Sequence, residues 1–178
     1  KPEKICRIEY GGINEGFFVN DDMVIRFNSK YTEERNRFLC EKIAYDLLSD
    51  KDIPVPEVIV HDETRELIPY DFIILTRIKG MNIAESSKLM KNTDIENLVY
   101  DAGKTLAKIH QVTVNGYGDL CRLDTNQHIS WKDYILKRFA KYINTAQNSN
   151  AIDQNIADKL HSILDSNAML LDKVTQSS

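Results

Sequence analysis

The chain has 178 residues, 42% of them apolar, which is enough for one substantial core or for one small domain plus part of another. Its net charge of −4 and the lack of any Lys/Arg run interleaved with aromatics argue against nucleic acid as a main partner. The three cysteines, Cys6, Cys40 and Cys121, are an odd number at wide spacing, so neither a disulfide framework nor a zinc site is indicated and a reducing cytosol fits best.

In chain order, the stretch from Lys4 to Tyr10 alternates as a strand, and Gly16–Val19 and Met23–Phe27 are short strand-like runs joined by a turn through Asn20, Asp21 and Asp22. From Thr32 the period changes. Leu39, Ile43 and Leu47 recur every four residues behind a first turn holding Glu33 and Glu34, which predicts a helix ended by Asp50 and the Ile-Pro-Val-Pro segment at 53–56. Pro54 and Pro56 keep the chain extended, and two more strands are expected at 57–60 and 70–78. The longest apolar runs, such as Phe72 to Leu75, are far too short to span a bilayer, and no basic-then-apolar leader opens the sequence.

After Gly80 the pattern is helical. Thr93 and Glu96 predict a capping box for a helix whose apolar face runs Ile95, Leu98, Val99, Ala102, Leu106, Ile109, with His110 as a packed core histidine. Ser130 with Asp133 signals another start ahead of Trp131, Ile135, Leu136, Phe139 and Ile143, and a further helix carries Ile152, Ile156, Leu160, Ile163 and Leu164. The stretches 115–120 and 144–151 read as loops, and Asp119 and Asp124 as solvated or turn-forming. The plan is α+β: a β-rich lobe over residues 1–79 with one main helix, then a helical part over 80–178, hinged near Arg77 to Asn82. Clefts in such clam-shell plans are favoured ligand sites.

Gly11, Gly12 and Gly16 surround Asn14 and Glu15 between two strands, a composition that lets backbone approach a ligand closely and present N–H groups to anions. A plain hairpin turn also uses Gly and Asn. Arg26, one strand later, sits where a strand-borne cation reaches back under that loop. An ordinary strand arginine is the simpler account, unless Glu41 on the next helix holds it toward phosphate; Glu33 and Glu34 are competing partners. The remaining histidines, His61, His128 and His161, lie apart with no metal-ligand spacing.

Taken in order, these segments resemble the aminoglycoside phosphotransferase and choline kinase group of small-molecule kinases, which share the protein-kinase-like two-lobe fold. Residues 11–19 look like the nucleotide loop, Met23–Phe27 the cation-bearing strand, Glu41 the helix glutamate, and Tyr70–Gly80 the hinge. Ala102–Val112 followed by Gly116–Leu120 resembles the helix and glycine turn that open the second lobe, and Ser130–Ile135 the helix after it. The resemblance implies ATP or GTP with Mg2+, a nucleoside base held by backbone groups of Thr76, Arg77 and Ile78, and Ile25, Val55 and Ile73 as apolar neighbours of the base. Arg26 stands where protein kinases have lysine, and arginine keeps the charge while gripping phosphate oxygens through two N–H groups.

The family's later His-Gly-Asp style loop, its asparagine and its metal-binding aspartate do not occur in this stretch; no catalytic residue is assigned here, and the metal ligands are expected beyond Ser178. Without base or metal, a phosphate loop lacks most of what phosphoryl transfer needs, so the chain by itself is expected to be inactive. Two functions stay open. One is the N-terminal portion of a cytoplasmic phosphotransferase that acts on a hydroxyl of a small molecule. The other is a truncated or degenerate kinase lobe that binds nucleotide or protein without turnover.

Overall fold

A computed structural model of the chain describes residues 2–9, 14–28, 37–122 and 130–175. These fall into two compact units that divide between Val112 and Thr113. The change from strand to helix pattern near residue 79 thus precedes the change of unit, and the long helix at 92–109 is grouped with the sheet.

In the first unit, β1 (Ile5–Arg7), β2 (Glu15–Val19), β3 (Met23–Phe27), β4 (Val58–Asp62) and β5 (Phe72–Thr76) form one antiparallel sheet in the order β1-β2-β3-β5-β4. The helix α1 (Arg37–Ser49) separates β3 from β4 in sequence. The β2–β3 turn places Asn20 at φ 52°, a conformation its short polar side chain tolerates. The Asn20 Oδ1 then accepts from the backbone N–H groups of Glu3 and Lys4, at 2.9 and 3.2 Å, so one turn also pins the edge strand.

Because strand side chains alternate, the pairing sorts the residues onto two faces. Gly16, Arg26, Ile73 and His61 form one cross-strand row, and Phe18, Val24, Leu75 and Val58 form the next row on the same face. Phe17, Ile25, Ile74 and Val60 point the other way. On that second face Phe17 meets Phe27 edge-on, with centroids 6.1 Å apart, and Phe27 leans on Phe72 at 6.3 Å. The first face carries α1. Phe38 of α1 packs with Ile73 and Leu75 in a cluster that Tyr45 and Val58 border, and both Phe38 and Ile73 are fully buried.

Two polar devices hold this arrangement. Asp71, only 2% exposed, receives Nε and Nη2 of Arg65 at 2.6 and 2.8 Å and Nδ2 of Asn28 at 3.3 Å, which ties the end of β3 to the start of β5. Glu63, just past β4, accepts from the Leu39 N–H at 3.1 Å, satisfying one of the free donors at the start of α1.

A short helix α2 (Ile83–Ser86) opens on Asn82, whose side chain accepts from the Glu85 N–H. The next helix, α3 (Asn92–Ile109), corrects the expected Thr93 and Glu96 box: Asp94 reaches back to the Lys91 N–H at 3.2 Å instead. No residue of α3 is buried, and His110 is an exposed C-cap rather than a core histidine. Lys108 bonds the Asp52 carboxylate and carbonyl, at 2.8 and 3.1 Å, and holds the end of α3 to the turn after α1.

The second unit contains a 3-10 turn (Leu120–Arg122) and two helices, α4 (Trp131–Asn148) and α5 (Gln154–Leu171). Ser130 caps α4 through the Asp133 N–H, as its sequence signal predicts, and Asp153 caps α5 through the Ile156 N–H. Residues 144–148, expected in a loop, continue α4. Polar composition suggested the loop, but the helix is fixed at that end by Ile143, 4% exposed, and by a 3.0 Å bond from Gln147 to Gln154. Cys6 on β1 is free and exposed. No described helix is long and apolar enough to cross a membrane.

Replacing Asp71 with Ala strands the Arg65 guanidinium and the Asn28 amide together. The expected cost is about 2 kcal/mol, read as a lower urea midpoint; an unchanged midpoint would show that the clamp is dispensable.

Candidate functional site

The sheet face that carries α1 also carries Arg26. Gly16 lies directly opposite Arg26 in the β2–β3 pair and is buried, and a Cβ added there would sit 3.1 Å from Ile8 Cδ1 and 3.7 Å from Arg26 Cγ. The tight neighbour is thus the Ile8 side chain, while the aliphatic stem of Arg26 lies at ordinary van der Waals distance. The glycine's φ is not positive, so the need is for space rather than for an unusual backbone.

At the far end of that stem the guanidinium meets Glu41. Nη1 donates to Oε2 at 2.6 Å and Nη2 donates to Oε1 at 3.1 Å, the two-pronged geometry that fixes orientation as well as distance. The guanidinium carbon lies 5.5 Å from the centroid of the buried Phe38 ring. Glu41 also accepts from the Tyr45 hydroxyl one helical turn on, at 3.4 Å. Burial, and next the Glu41 carboxylate, push the Tyr45 phenol above its usual range, so it remains a donor across the physiological pH range. The Arg26 and Glu41 side chains are 28% and 30% exposed, so the pair is held yet open to a ligand.

Glu41 is therefore the carboxylate that meets Arg26, while Glu33 and Glu34 fall outside the described residues, as do Gly11 and Gly12 of the glycine loop. Asn14, at the entry to β2, is half-buried, and its side-chain oxygen is buried with no hydrogen-bond partner. Glu15 lies on the other face, where it is exposed and 3.6 Å from Arg7.

At the other end of the sheet the hinge residues are partly committed. The Thr76 N–H bonds the Glu57 carbonyl at 2.9 Å and its hydroxyl accepts from the Glu57 N–H at 2.8 Å. The Arg77 N–H bonds the Asp22 carbonyl at 2.7 Å. Among the described residues the Ile78 N–H has no such partner, and Ile78 is exposed. The apolar neighbours read from sequence need correction. Ile25 points to the face opposite Arg26, and Ile73 shares the right face but is completely buried under α1. Val24 and Phe18, which sequence reasoning missed, occupy that face between Arg26 and the hinge; a strict count by twos from Arg26 would have found Val24.

In the second unit the acidic residues are engaged locally. Asp119 accepts from Arg138 at 2.9 Å and from the Tyr134 hydroxyl at 3.2 Å, and Tyr117, Trp131 and Tyr134 stack in series, so Asp119 is neither simply solvated nor a turn former. Asp133 accepts from Lys137 and Asp158 from Gln154. No group of three or more His, Cys, Asp or Glu able to hold a metal ion occurs among the described residues.

A Gly16→Val variant places methyl groups against Ile8 and the Arg26 stem, and is expected to lose about 1–3 kcal/mol of stability. A double-mutant cycle on Arg26 and Glu41 is expected to give a coupling near 1 kcal/mol in urea unfolding, whereas additive single effects would mean that the ion pair is only incidental.

A model of the phosphotransferase enzyme family matches residues 4–169. No curated protein sequence matches the chain at a significant level. Among solved structures, the streptomycin–ATP ternary complex of the aminoglycoside phosphotransferase APH(2'')-IIa is 17% identical with a TM-score of 0.63, over 96% of this chain and 56% of that one. The ADP-bound APH(2'')-Ib is 18% identical at 0.64, over 96% and 56%. The GDP and kanamycin complex of APH(2'')-IIIa is 14% identical at 0.55, over 95% and 55%. The chain thus spans just over half the length of these structures, and its sheet, α1 and following helices match the N-terminal half of their kinase-like fold. Matched by the family model over nearly its whole length, the chain belongs to the phosphotransferase enzyme family.

Proposed function

We propose that residues 1–178 are the N-terminal part of an ATP- or GTP-dependent kinase that phosphorylates a hydroxyl group of a small molecule, with residues 1–79 as the nucleotide lobe and 80–178 as the opening of the helical lobe. The observation that carries this reading is the two-pronged Arg26–Glu41 pair, partly open on the face of a five-stranded sheet. A guanidinium uses only part of its donor set on one carboxylate, and the remaining N–H groups suit phosphate oxygens. Glu41 fixes the fork, and Tyr45 supports Glu41. The base would then lie toward the Ile78 N–H, with Val24 beneath it.

Solved relatives were captured with ATP, ADP or GDP and with streptomycin, gentamicin or kanamycin, which supports a nucleotide and a polyhydroxylated acceptor here. Magnesium ligands and the catalytic base belong, in this reading, to the half of the fold that lies outside the matched stretch. The exposed apolar residues of α3 and α5, among them Val99, Leu106, Ile163 and Leu170, suit surfaces that such a half would cover. The cytoplasm, where nucleoside triphosphates are made, is the fitting compartment. A second reading, a nucleotide- or protein-binding lobe without turnover, rests on the same share of the relatives' length and predicts binding with no product.

Calorimetric titration with ADP and GDP tests the site. Arg26→Ala is expected to weaken binding roughly tenfold to a hundredfold, the worth of about 1.5–3 kcal/mol of charge-assisted hydrogen bonding. Equal affinity in variant and parent would remove Arg26 from the site.

A further inference from the structure

A second arginine shares the face that presents Arg26. Arg77 follows Thr76, which pairs with Met23, three residues from Arg26 along β3 and so about 10 Å away, the order of the span between a purine and the terminal phosphates of its nucleotide. The Arg77 side chain returns over the sheet with its guanidinium carbon 4.0 Å from the centroid of Phe18. Phe18 lies on Arg26's face, opposite Val24. The cation therefore lies over an aromatic platform at the hinge end of the same surface.

The Arg77 fork is not spent. Its nearest carboxylate, Asp21, is 3.8 Å away, beyond hydrogen-bond distance and itself 81% exposed. Arg26 and Arg65 each commit two N–H groups to a carboxylate, whereas the Arg77 side chain donates to no described residue. With 30% of the side chain exposed, a stacked guanidinium of this kind presents donors and no acceptors.

We propose that Arg77 is a specificity-determining residue that selects guanine over adenine nucleotides through its side-chain fork. Guanine presents two acceptors, N7 and O6, along one edge, which a guanidinium meets with two parallel N–H bonds. Adenine presents N7 beside the N6 amino group, and that amino group would face a second donor. The free Ile78 N–H adds a further donor at the hinge, again complementary to O6. This inference rests on the nucleotide reading of the Arg26 face and goes beyond it in naming the base and the side chain that reads it.

Titration of the full chain with GDP and with ADP, both with Mg2+, tests it in the parent, in Arg77→Met and in Arg77→Lys. The parent is expected to bind GDP about tenfold more tightly than ADP. Met keeps the packing on Phe18 and Lys keeps the charge, yet each lacks the fork, so both variants should lose most of that preference with less than a twofold change for ADP. A parent that binds both nucleotides equally, or ADP better, overturns the inference while leaving the site. Equal weakening of GDP and ADP in both variants also overturns it, by showing a contact to phosphate rather than base. Binding of neither nucleotide by the parent overturns the site itself and this inference with it. Thermal unfolding of each variant identifies losses that come from misfolding, and Phe18→Leu, which removes the platform but not the fork, is then expected to reduce the GDP preference in a folded protein.

Discussion

The contact between the Arg26 guanidinium and the Glu41 carboxylate links strand β3 to helix α1 and fixes the direction of a cation on this sheet. Much of the local structure follows from the need to keep that pair aligned. Phe38, one turn before Glu41, is buried against Ile73 and Leu75, so the helix cannot roll without opening the core. Glu63 holds the start of α1 from the end of β4, and the Asn28–Asp71 contacts tie β3 to β5 at the same end of the sheet. An ion pair with about a third of each side chain exposed contributes little to stability by itself, so its value lies in direction.

Strand parity divides the sheet into a proposed working face, which also carries the core packed under α1, and an opposite face. Arg26, Val24, Phe18 and Arg77 share the first, while Phe17, Phe27 and Phe72 build an aromatic layer on the second. A one-residue slip in the β2–β3 register would exchange the faces of every β2 residue. At the Gly16 position opposite Arg26 a Cβ would sit tightly against Ile8, at 3.1 Å from its Cδ1, so a slip that brought a larger residue there would need the Ile8 side chain to shift.

Local pattern made much of this legible. The order of strands and helices and the Ser130 cap follow from period and capping chemistry, whereas the pairing of Arg26 with Glu41 is suggested by the kinase pattern, with Glu33 and Glu34 left as competitors. What was not legible is mostly non-local. The Glu63 bond to Leu39 joins residues 24 apart, and the Asp119 bond to Arg138 joins residues 19 apart, and nothing in their immediate neighbours announces either. His110 was read as buried because it follows an apolar stripe, yet burial depends on what covers the stripe, and no residue of α3 is buried. Residues 144–148 read as loop from their polar side chains, although a helix end can be fixed by a neighbouring helix that composition does not reveal. Ile25, named from the resemblance, lies on the face opposite Arg26, and alternation from Arg26 already points to Val24 as the residue on its face.

A nucleotide on the working face must touch one set of side chains and spare its neighbours one residue away. Methyl-resolved NMR of the chain, titrated with GDP and Mg2+, reads that alternation directly. The account predicts that the Val24 methyl groups and the Arg26 side-chain N–H signals shift together, while the Ile25 and Ile74 methyl groups stay in place. Shifts centred on Ile25 and Ile74, or no shift at Val24 and Arg26 at saturating nucleotide, would contradict it.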